Sequence, residues 1–388
     1  MDLDARYPAL SDLRTRARRR LPHFVWEYLD SGTGSETAQA RNRDALDRVL
    51  FLPAVLRGEV APDLATRFLG TDHTLPFGVA PVGMSGLIWP RAEAHLARAA
   101  TEAGLPYTLS TVAAATPEEI GPLTNGRGWY QLYPPRDEEV RLGMLRRIRD
   151  SGFLTLVLTV DVPVASRRER LLRSGLTQPV TLTPRLLAQV ARRPAWALGM
   201  AREGLPRMRT LTPYTETGKS LSSTAHVGYL LRIAPDWDYL RWLRDRWQGP
   251  LVVKGVLTPE DAARLEREGV DAVWVSNHAG RQFDGAPAVA RCLPAIRAAC
   301  DLPLLADGGV EGGLDILRLI ALGADLVMLG RPVHMALAAL GPRGPSHLIE
   351  TLRRDLIANL GQLGVARPAE LRGTARVSGR SDPPGPAG

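Results

Sequence analysis

The sequence predicts an α/β protein built as a single (β/α)8 barrel, the TIM barrel architecture. Three observations favour it: eight short apolar runs recur along the chain, a helical pattern follows most of them, and most spacings fit one strand–helix unit. Near-continuous apolar runs are typical of strands buried on both faces of a parallel sheet. No GxGxxG follows the first run, which disfavours a doubly wound open sheet.

The eight runs define the expected strands, and the segments between them define the expected helices. The strands are expected at Pro76–Pro81, Pro106–Thr111, Trp129–Tyr133, Thr155–Val160, Leu251–Gly255, Ala272–Asn277, Leu302–Asp307 and Asp325–Gly330. The clearest helical patterns cover Arg91–Ala103, Asp137–Ser151, Pro259–Glu268 and Gly313–Leu322. Strands of a parallel sheet need such crossovers, so this alternation supports the barrel.

Three regions lie outside the regular alternation. Residues 1–70 precede the first strand and look helical. The distance from Val160 to Leu251 far exceeds one crossover and predicts an insertion after the fourth strand, at about residues 174–235. Residues 376–388 are rich in proline and glycine and are expected to form a disordered tail, leaving residues 1–375 as one domain.

Composition excludes several classes of protein. The 388 residues are 45% hydrophobic and 23% charged, as in a globular chain with a sizeable core. The net charge is +8, but no lysine-rich or aromatic cluster suggests nucleic-acid binding. Cys292 and Cys300 form neither a disulfide framework nor a zinc spacing, and no metal is expected. No signal peptide or membrane span is evident, so a cytoplasmic location is expected.

Polar residues recur at the ends of the apolar runs, where a barrel places its active site. They are Ser110, Gln131, Tyr133, Thr159, Asp161, Lys254, Ser276, Asn277, His278, Asp307, Gly330 and Arg331. Buried polar groups are costly unless paired, so packing does not account for a ring drawn from seven strands. The ring therefore predicts a site at the barrel mouth.

Two cationic features of this ring indicate the chemistry. Lys254 is one of two lysines among 49 basic residues and lies in an apolar strand, where its ammonium suits an anionic or electron-accepting group. His278 and Arg281 share one loop, SNHAGRQFDG, at residues 276–285. An imidazole is a general base at neutral pH, and a guanidinium holds a carboxylate, so the loop suits proton abstraction from a carboxylate-bearing substrate.

The seventh and eighth strand ends predict a phosphate site. Asp307, Gly308 and Gly309 follow the seventh run, and Gly330 and Arg331 follow the eighth. The loops after these strands commonly bind phosphate in such barrels, since glycine lets backbone N–H groups approach the ligand.

In order along the chain, QLY, LTVD, VKG, SNHAGRQFDG, DGG and LGRP resemble the FMN-dependent 2-hydroxy-acid oxidase and dehydrogenase family over about residues 8–365. This family includes glycolate oxidase, L-lactate dehydrogenase and (S)-mandelate dehydrogenase. APVGMSGLIWP at 80–90 and WALGMAREGLPRM at 196–208 are most similar to its membrane-associated lactate and mandelate dehydrogenases. The resemblance implies FMN-dependent oxidation of an L-2-hydroxy acid to a 2-oxo acid.

The resemblance also implies residue roles. His278 takes the proton, Asp161 orients the imidazole, Arg168 and Arg281 clamp the carboxylate, and Tyr28 and Tyr133 hydrogen-bond the substrate. Lys254 stabilises the reduced flavin. The implied FMN-binding residues are Pro81, Val82, Gly83, Ser110, Gln131, Thr159, Lys254, Ser276, Asp307, Gly308, Gly309, Gly330 and Arg331. Four-fold oligomers are common in the family, so a homo-oligomer, a tetramer by resemblance, is expected.

The chain departs from the family pattern at three positions. Ala279 replaces the first glycine of the usual SNHGG, Phe283 stands where leucine is usual, and Glu311 replaces an arginine that contacts the FMN phosphate. A carboxylate there repels phosphate unless it is turned away, so weaker FMN retention is expected.

Several functional alternatives stay open. The electron acceptor is a quinone or another acceptor in a dehydrogenase, and oxygen in an oxidase that produces hydrogen peroxide; glycine at Gly83 accompanies the mandelate-type dehydrogenases. An isomerase-type flavin barrel is disfavoured by Arg168 and Arg281. A non-catalytic barrel with weakened FMN binding is favoured by Glu311 alone.

The insertion offers a second function. Leu182–Met208 combines apolar and basic residues, and Pro194 is expected to divide it into two short helices. Such basic amphipathic helices suit an anionic membrane interface, which predicts a peripheral protein on the inner face of the membrane. The alternative is that the apolar face caps the barrel or packs on a neighbouring subunit.

Overall fold

The computed structural model describes residues 2–176, 183–214 and 233–378. Eight parallel strands close into a barrel in the order of the chain, as predicted. They are β4 (Phe77–Val79), β5 (Tyr107–Ser110), β6 (Gly128–Leu132), β7 (Thr155–Thr159), β8 (Leu251–Val256), β9 (Ala272–Val275), β10 (Leu304–Ala306) and β11 (Leu326–Leu329). All eight expected runs contain a strand, because each is apolar on both faces.

Closure occurs between β11 and β4, where Val327 pairs with Phe77 and Leu329 with Val79. The crossover helices are α6 (Ala92–Glu102), α7 (Pro117–Ile120), α8 (Glu138–Asp150), α12 (Trp237–Arg246), α13 (Pro259–Arg267), α14 (Val289–Ala299), α15 (Gly313–Ala321) and α16 (Arg331–Leu340). The last long helix, α17 (Gly344–Leu363), packs on α16. The four helical patterns singled out in the sequence are confirmed by α6, α8, α13 and α15.

Capping residues set several helix starts. The Asp137 carboxylate accepts a hydrogen bond from the Val140 N–H at the start of α8, and the Thr258 hydroxyl accepts one from Asp261 at the start of α13. Pro259 occupies the first turn of α13, where its missing N–H costs nothing. These caps place the helices directly after the strand-end loops.

The helical expectation for residues 1–70 is correct only as far as Asp47. Helices α1–α4 cover Leu3–Arg6, Leu10–Arg20, His23–Asp30 and Thr37–Asp47. A short strand, β1 (Val49–Leu50), then leads into irregular chain and a hairpin of β2 (Thr66–Phe68) and β3 (Thr71–His73). This hairpin is stabilised by long-range packing, because Phe68 lies in the apolar interior of the barrel, 5.8 Å from the Trp129 ring centre.

The insertion between β7 and α12 contains α9 (Glu169–Arg173), α10 (Pro184–Ala191) and α11 (Pro194–Glu203). The break at Pro194 is confirmed, since this proline begins α11. Residues 177–182, including Leu182, and residues 215–232 of the predicted insertion lie outside the described residues.

The sequence-based prediction places the start of the disordered tail too early, at residue 376. Arg376–Val377 form β12, which pairs antiparallel with β1, and the Ser378 N–H donates to the Arg48 carbonyl. These backbone bonds hold residues that composition alone assigned to disorder. Residues 379–388 of that prediction lie outside the described residues.

Candidate active site

A cavity of about 1870 Å³ opens at the carboxyl ends of the barrel strands. Its wall includes most of the residues singled out in the sequence, which are Tyr28, Pro81, Val82, Gly83, Ser110, Gln131, Tyr133, Thr159, Arg168, Lys254, His278, Arg281, Asp307, Gly308, Gly309, Gly330 and Arg331. Asp161, Ser276 and Asn277 do not line it. Asp161 and Ser276 each contact a wall residue from behind, whereas the Asn277 amide donates to Asn42 and to the Pro287 carbonyl.

His278 and Asp161 form a close pair. The Nδ1 atom of His278 lies 3.1 Å from both carboxylate oxygens of Asp161. A carboxylate can only accept, so the proton lies on Nδ1 and the lone pair on Nε2. The neutral ring therefore presents a base on the edge that faces away from Asp161.

Two features fix Asp161 behind the imidazole. Burial alone would raise the pKa of Asp161, but the charges of His278 and Lys254 outweigh it and leave the pKa below its ordinary value. Gly255 follows Lys254 on β8 with φ +110°, and a Cβ there would lie 2.5 Å from the Cβ of Asp161. Glycine at this position thus lets the carboxylate lie against β8.

Lys254 is buried in a polar network at the cavity floor. Its ammonium donates to the Ser276 hydroxyl at 2.8 Å and lies 3.5 Å from Asp307. The Ser276 hydroxyl donates to Asp307 and accepts from the His278 N–H at 3.0 Å. The Trp274 indole also donates to Asp307, at 3.0 Å. This network joins three strand ends and orients the ammonium that lines the cavity.

The two arginines that were predicted to clamp a carboxylate, Arg168 and Arg281, lie half-buried around Tyr28. Burial lowers the pKa of Arg281, which donates to the Tyr28 carbonyl. One Nη of Arg168 donates to the carbonyls of Glu27, Tyr28 and Ser31 at the end of α3. The Tyr28 hydroxyl donates to the Gly83 carbonyl at 2.8 Å. The backbone of α3 thus holds both arginines at the cavity wall.

Two buried polar atoms on neighbouring strands fit a bound flavin. The Nε2 atom of Gln131 and the hydroxyl of Thr159 have no hydrogen-bond partner within the described part of the chain. Both residues line the cavity, and the side-chain oxygen Oε1 of Gln131 accepts a hydrogen bond from the Ser110 hydroxyl at 2.9 Å. Buried polar groups are normally paired, so these atoms indicate a ligand with matching polar edges, as the FMN ring has.

The loops after β10 and β11 fit a phosphate. Gly308 and Gly309 adopt φ +89° and +82°, a conformation that L side chains rarely take. Arg331 begins α16 and donates to the carbonyls of Asp30 and Ala279. Burial, with Arg281 nearby, lowers the pKa of Arg331 to about 10. A half-buried guanidinium with these partners is poised to bind an anion.

Apart from Tyr28, sequence reasoning missed the contribution of the N-terminal helices. Arg14 of α2 and Asp30 of α3 line the cavity and form an ion pair at 2.9 Å. Asp30 and Glu27 are also held by Arg170, at 3.0 Å and 2.7 Å. No motif signals these contacts, because each joins segments that are close only in the folded chain.

The insertion supplies the apolar part of the wall. Leu186, Trp196 and Met200 are buried and line the cavity. The Trp196 indole donates to the Leu87 carbonyl at 3.0 Å and packs edge-on against Phe24, at 5.8 Å between ring centres. The insertion therefore caps the barrel mouth with this face, the alternative weighed against membrane docking.

Comparison with known proteins places the chain among flavoenzymes. Residues 17–377 match the model of the FMN-dependent dehydrogenase family. An L-lactate dehydrogenase of Caulobacter vibrioides is 40% identical, covering 94% of this chain and 96% of the relative. One from Pseudomonas aeruginosa is 39% identical, covering 90% and 92%.

Solved structures show the same likeness. The monotopic membrane protein (S)-mandelate dehydrogenase has a TM-score of 0.89 and 34% identity, covering 95% of this chain and 99% of the other. A mandelate oxidase has a TM-score of 0.79 and 34% identity, covering 95% and 98%.

Proposed function

The chain belongs to the FMN-dependent dehydrogenase family, and from this premise we propose that it oxidises a lactate- or mandelate-like L-2-hydroxy acid to the 2-oxo acid. The His278–Asp161 pair, in one cavity with Arg281, carries the proposal. An oriented base beside a buried cation suits removal of a proton from an anionic substrate.

Proton transfer falls to His278. FMN, when bound, would supply the acceptor for the two electrons released at the substrate's α-carbon. Nε2 of His278 is the lone-pair atom and takes a proton from the substrate. Asp161 accepts from Nδ1 and stabilises the imidazolium that results. The lowered pKa of Asp161 keeps it ionised through this change.

Substrate orientation falls to the residues around Tyr28. Arg281 and Arg168 bind the carboxylate, and the hydroxyl groups of Tyr28 and Tyr133 bind the polar substituents of the α-carbon. Arg281 lies at the wall in a buried setting, where a charge-assisted hydrogen bond is strong. Lys254 supplies positive charge at the cavity floor, where negative charge develops on oxidation of the substrate.

The test is anaerobic mixing of the purified protein with L-lactate and with L-mandelate while visible absorbance is followed. Bleaching of a flavin band by either acid supports the proposal, and the faster of the two identifies the preferred side chain. A yellow protein that neither acid bleaches would contradict the substrate class. A colourless protein that FMN does not reconstitute would favour the non-catalytic barrel.

The electron acceptor is proposed to be a quinone or another non-oxygen acceptor. At Gly83 a Cβ would lie 2.6 Å from Val112, so the backbone approaches this neighbour closely where the Tyr28 hydroxyl is bound. Likeness to dehydrogenases in sequence supports this choice. Hydrogen peroxide formation in air at the rate seen with artificial acceptors would reverse it.

Peripheral membrane contact is proposed for the exposed leucines of the insertion. Leu187, Leu198 and Leu205 are 55%, 53% and 72% exposed, although Trp196 of α11 is buried, and Leu187 and Leu205 also line the cavity. Arg202 and Arg207 beside them are exposed and carry positive charge. Within the described ranges, no helix is long and apolar enough to cross a bilayer. The solved (S)-mandelate dehydrogenase is a monotopic membrane protein, which supports surface attachment.

Co-sedimentation with anionic and neutral vesicles at low salt tests this contact. The variant Leu187→Ser/Leu198→Ser/Leu205→Ser should lose binding to anionic vesicles. Leu154→Ser, at a leucine that is 57% exposed elsewhere, is the control. Equal binding of the triple variant and the native chain would assign this face another role. We also propose a homo-oligomer, and light scattering of the protein without vesicles tests it.

A further inference from the structure

The phosphate end of the cavity contains more cationic groups than the sequence predicted. Three arginines line the wall there: Arg331 of α16, Arg43 of α4 and Arg14 of α2. Glu311, which follows Gly309 by two residues, lines the same end. A phosphate monoester carries close to two negative charges at neutral pH, so the balance among these groups decides how well FMN is held.

Arg43 is committed to its own carboxylates. Its Nη1 and Nη2 atoms contact the two oxygens of Asp315 at 2.5 and 2.7 Å, and it also pairs with Asp47. These carboxylates raise its pKa, and its Nη1 donates to the Gly309 carbonyl at 2.7 Å. Arg43 therefore supports the Gly308–Gly309 turn from outside. Its positive charge is largely neutralised by Asp315 and Asp47, so it contributes little to binding a phosphate.

Arg14 is held differently. Its Nη2 lies 2.9 Å from Asp30, and its Nη1 lies 3.4 Å from Glu311. Asp30 is already shared with Arg170, and Glu311 is 57% exposed and at the long end of an ion-pair distance. These two contacts engage two of the five guanidinium N–H groups, so Arg14 keeps donors for a further anion.

We propose that Arg14 is a ligand of the FMN phosphate, aimed by Asp30 and Glu311, and that it completes with Arg331 a phosphate site that the barrel alone does not supply. This inference rests on the proposed use of FMN. It gives Glu311 a role: the carboxylate positions Arg14, and Arg14 neutralises the carboxylate. Loss of Arg14 then has two effects, because a cation is removed and Glu311 is left facing the phosphate.

Comparison of FMN with riboflavin, which lacks the phosphate, tests the proposal on the full-length protein after removal of flavin. Quenching of flavin fluorescence gives both affinities. Arg14→Gln should weaken FMN by about tenfold or more, as expected for a charge-assisted hydrogen bond, and leave riboflavin within about twofold. Arg18→Gln, on the exposed side of the same helix, is the matched control and should change neither.

A double variant sharpens the test. In the Arg14→Gln background, Glu311→Gln should recover part of the lost FMN affinity, because it removes an unneutralised charge. Should Arg14→Gln fail to fold, the ratio of the two affinities in Arg14→Lys decides the question. A lower FMN-to-riboflavin ratio supports phosphate contact.

Three results would overturn the inference. Native FMN affinity in Arg14→Gln, or an unchanged ratio in Arg14→Lys, would exclude phosphate contact. Equal weakening of FMN and riboflavin would assign Arg14 to the packing of α2 on α3. A native protein that binds neither flavin would overturn the proposed function together with this inference.

Discussion

The two sides of the cavity are built on different principles. The barrel side consists of the strand-end residues of β7 to β10, among them Asp161, Lys254, Ser276 and His278. The outer side consists of α2, α3 and the insertion, with Arg14, Asp30, Arg170 and Trp196. Short hydrogen bonds between neighbouring strand ends join the barrel side, as between Lys254 and Ser276 at 2.8 Å. Ion pairs and apolar contacts between segments far apart in the chain join the outer side.

The barrel side carries the proposed base and its partner, and the outer side encloses the cavity. Ladders fix the ends of β7, β8 and β9, and Asp161 and His278 follow the ends of β7 and β9 within three residues. The outer side depends on buried charges that must remain paired, such as Glu27 and Asp30. Loss of the base on the barrel side should therefore alter the rate, and loss of a buried ion pair on the outer side should alter stability.

The largest expected effect is on the barrel side. His278→Gln should lower the rate of anaerobic flavin reduction by about 10²–10⁴, the range typical of a lost general base. FMN content and melting temperature should stay near native, since Asp161 is the one hydrogen-bond partner of the ring among the described residues. His95→Gln, on α6, is the control. Flavin reduction at the native rate in His278→Gln would show that the base lies elsewhere.

The matching change on the outer side is Arg170→Met. Glu27 and Asp30 are each 5% exposed, and removal of their shared guanidinium leaves buried charge poorly compensated. Unfolding in urea should show a loss of about 3 kcal/mol, with little change in the rate of flavin reduction by the folded protein.

Arg173→Met is the control for this change, because Arg173 lies on the same helix and is exposed. An unchanged free energy of unfolding in Arg170→Met, or a rate that falls with it, would break the separation between the two sides.

A smaller effect on stability is expected when the pH is lowered, because of His334, which is buried between two strand-end loops. Its Nδ1 lies 2.8 Å from the Gly330 carbonyl and its Nε2 lies 2.7 Å from the Ser85 hydroxyl. Burial lowers the pKa of His334 to about 4. Between the unfolded pKa of about 6.5 and this value, only the unfolded chain binds the proton, so stability falls as pH falls.

The expected loss from this histidine is about 2 kcal/mol at pH 5 relative to pH 7. Urea unfolding of the native chain and of His334→Gln at both values measures it. The variant should show a smaller acid loss, because glutamine does not titrate. The same pH dependence in both proteins would mean that other groups account for it.

The smallest effect concerns the loop that carries the base. Ala279 adopts φ +52°, a left-handed conformation that costs an L residue about 1–2 kcal/mol. Ala279→Gly should relieve this strain and raise the free energy of unfolding by up to about 1 kcal/mol, less the greater freedom of the unfolded chain. Ala103→Gly, at an ordinary φ of −86°, should instead destabilise. A loss of stability in Ala279→Gly would show that its methyl packing outweighs the strain.

The barrel side could be predicted from the sequence, and the outer side could not. Apolar runs ending in Thr159, Lys254 and Asp307 show both the strand and the face on which its polar end lies. Arg14 gives no such signal, since Glu311 is 297 residues away and its approach depends on how α2 packs on the closed barrel. The sequence therefore does not show the partner of Glu311, which the fold places 3.4 Å from Arg14.

The insertion shows the same limit within one segment. Its amphipathic pattern and its break at Pro194 were visible in the sequence. Alternation of apolar residues along a helix does not tell which of them meet the protein core. Leu186 is buried and Leu187, the next residue, is 55% exposed, a division that only packing against α3 decides.

The β2–β3 hairpin, which contains Phe68, bears on the order in which substrates bind and products leave during turnover. Phe68 and Trp129 fill the amino-terminal end of the barrel, so the described cavity opens at the carboxyl ends of the strands. In the proposed reaction, the hydroxy acid, the oxo acid and the electron acceptor then share this entrance. An acceptor that must approach the flavin closely can therefore enter only after the oxo acid has left. Steady-state measurements with both substrates varied should accordingly give parallel double-reciprocal lines, the pattern of a ping-pong enzyme.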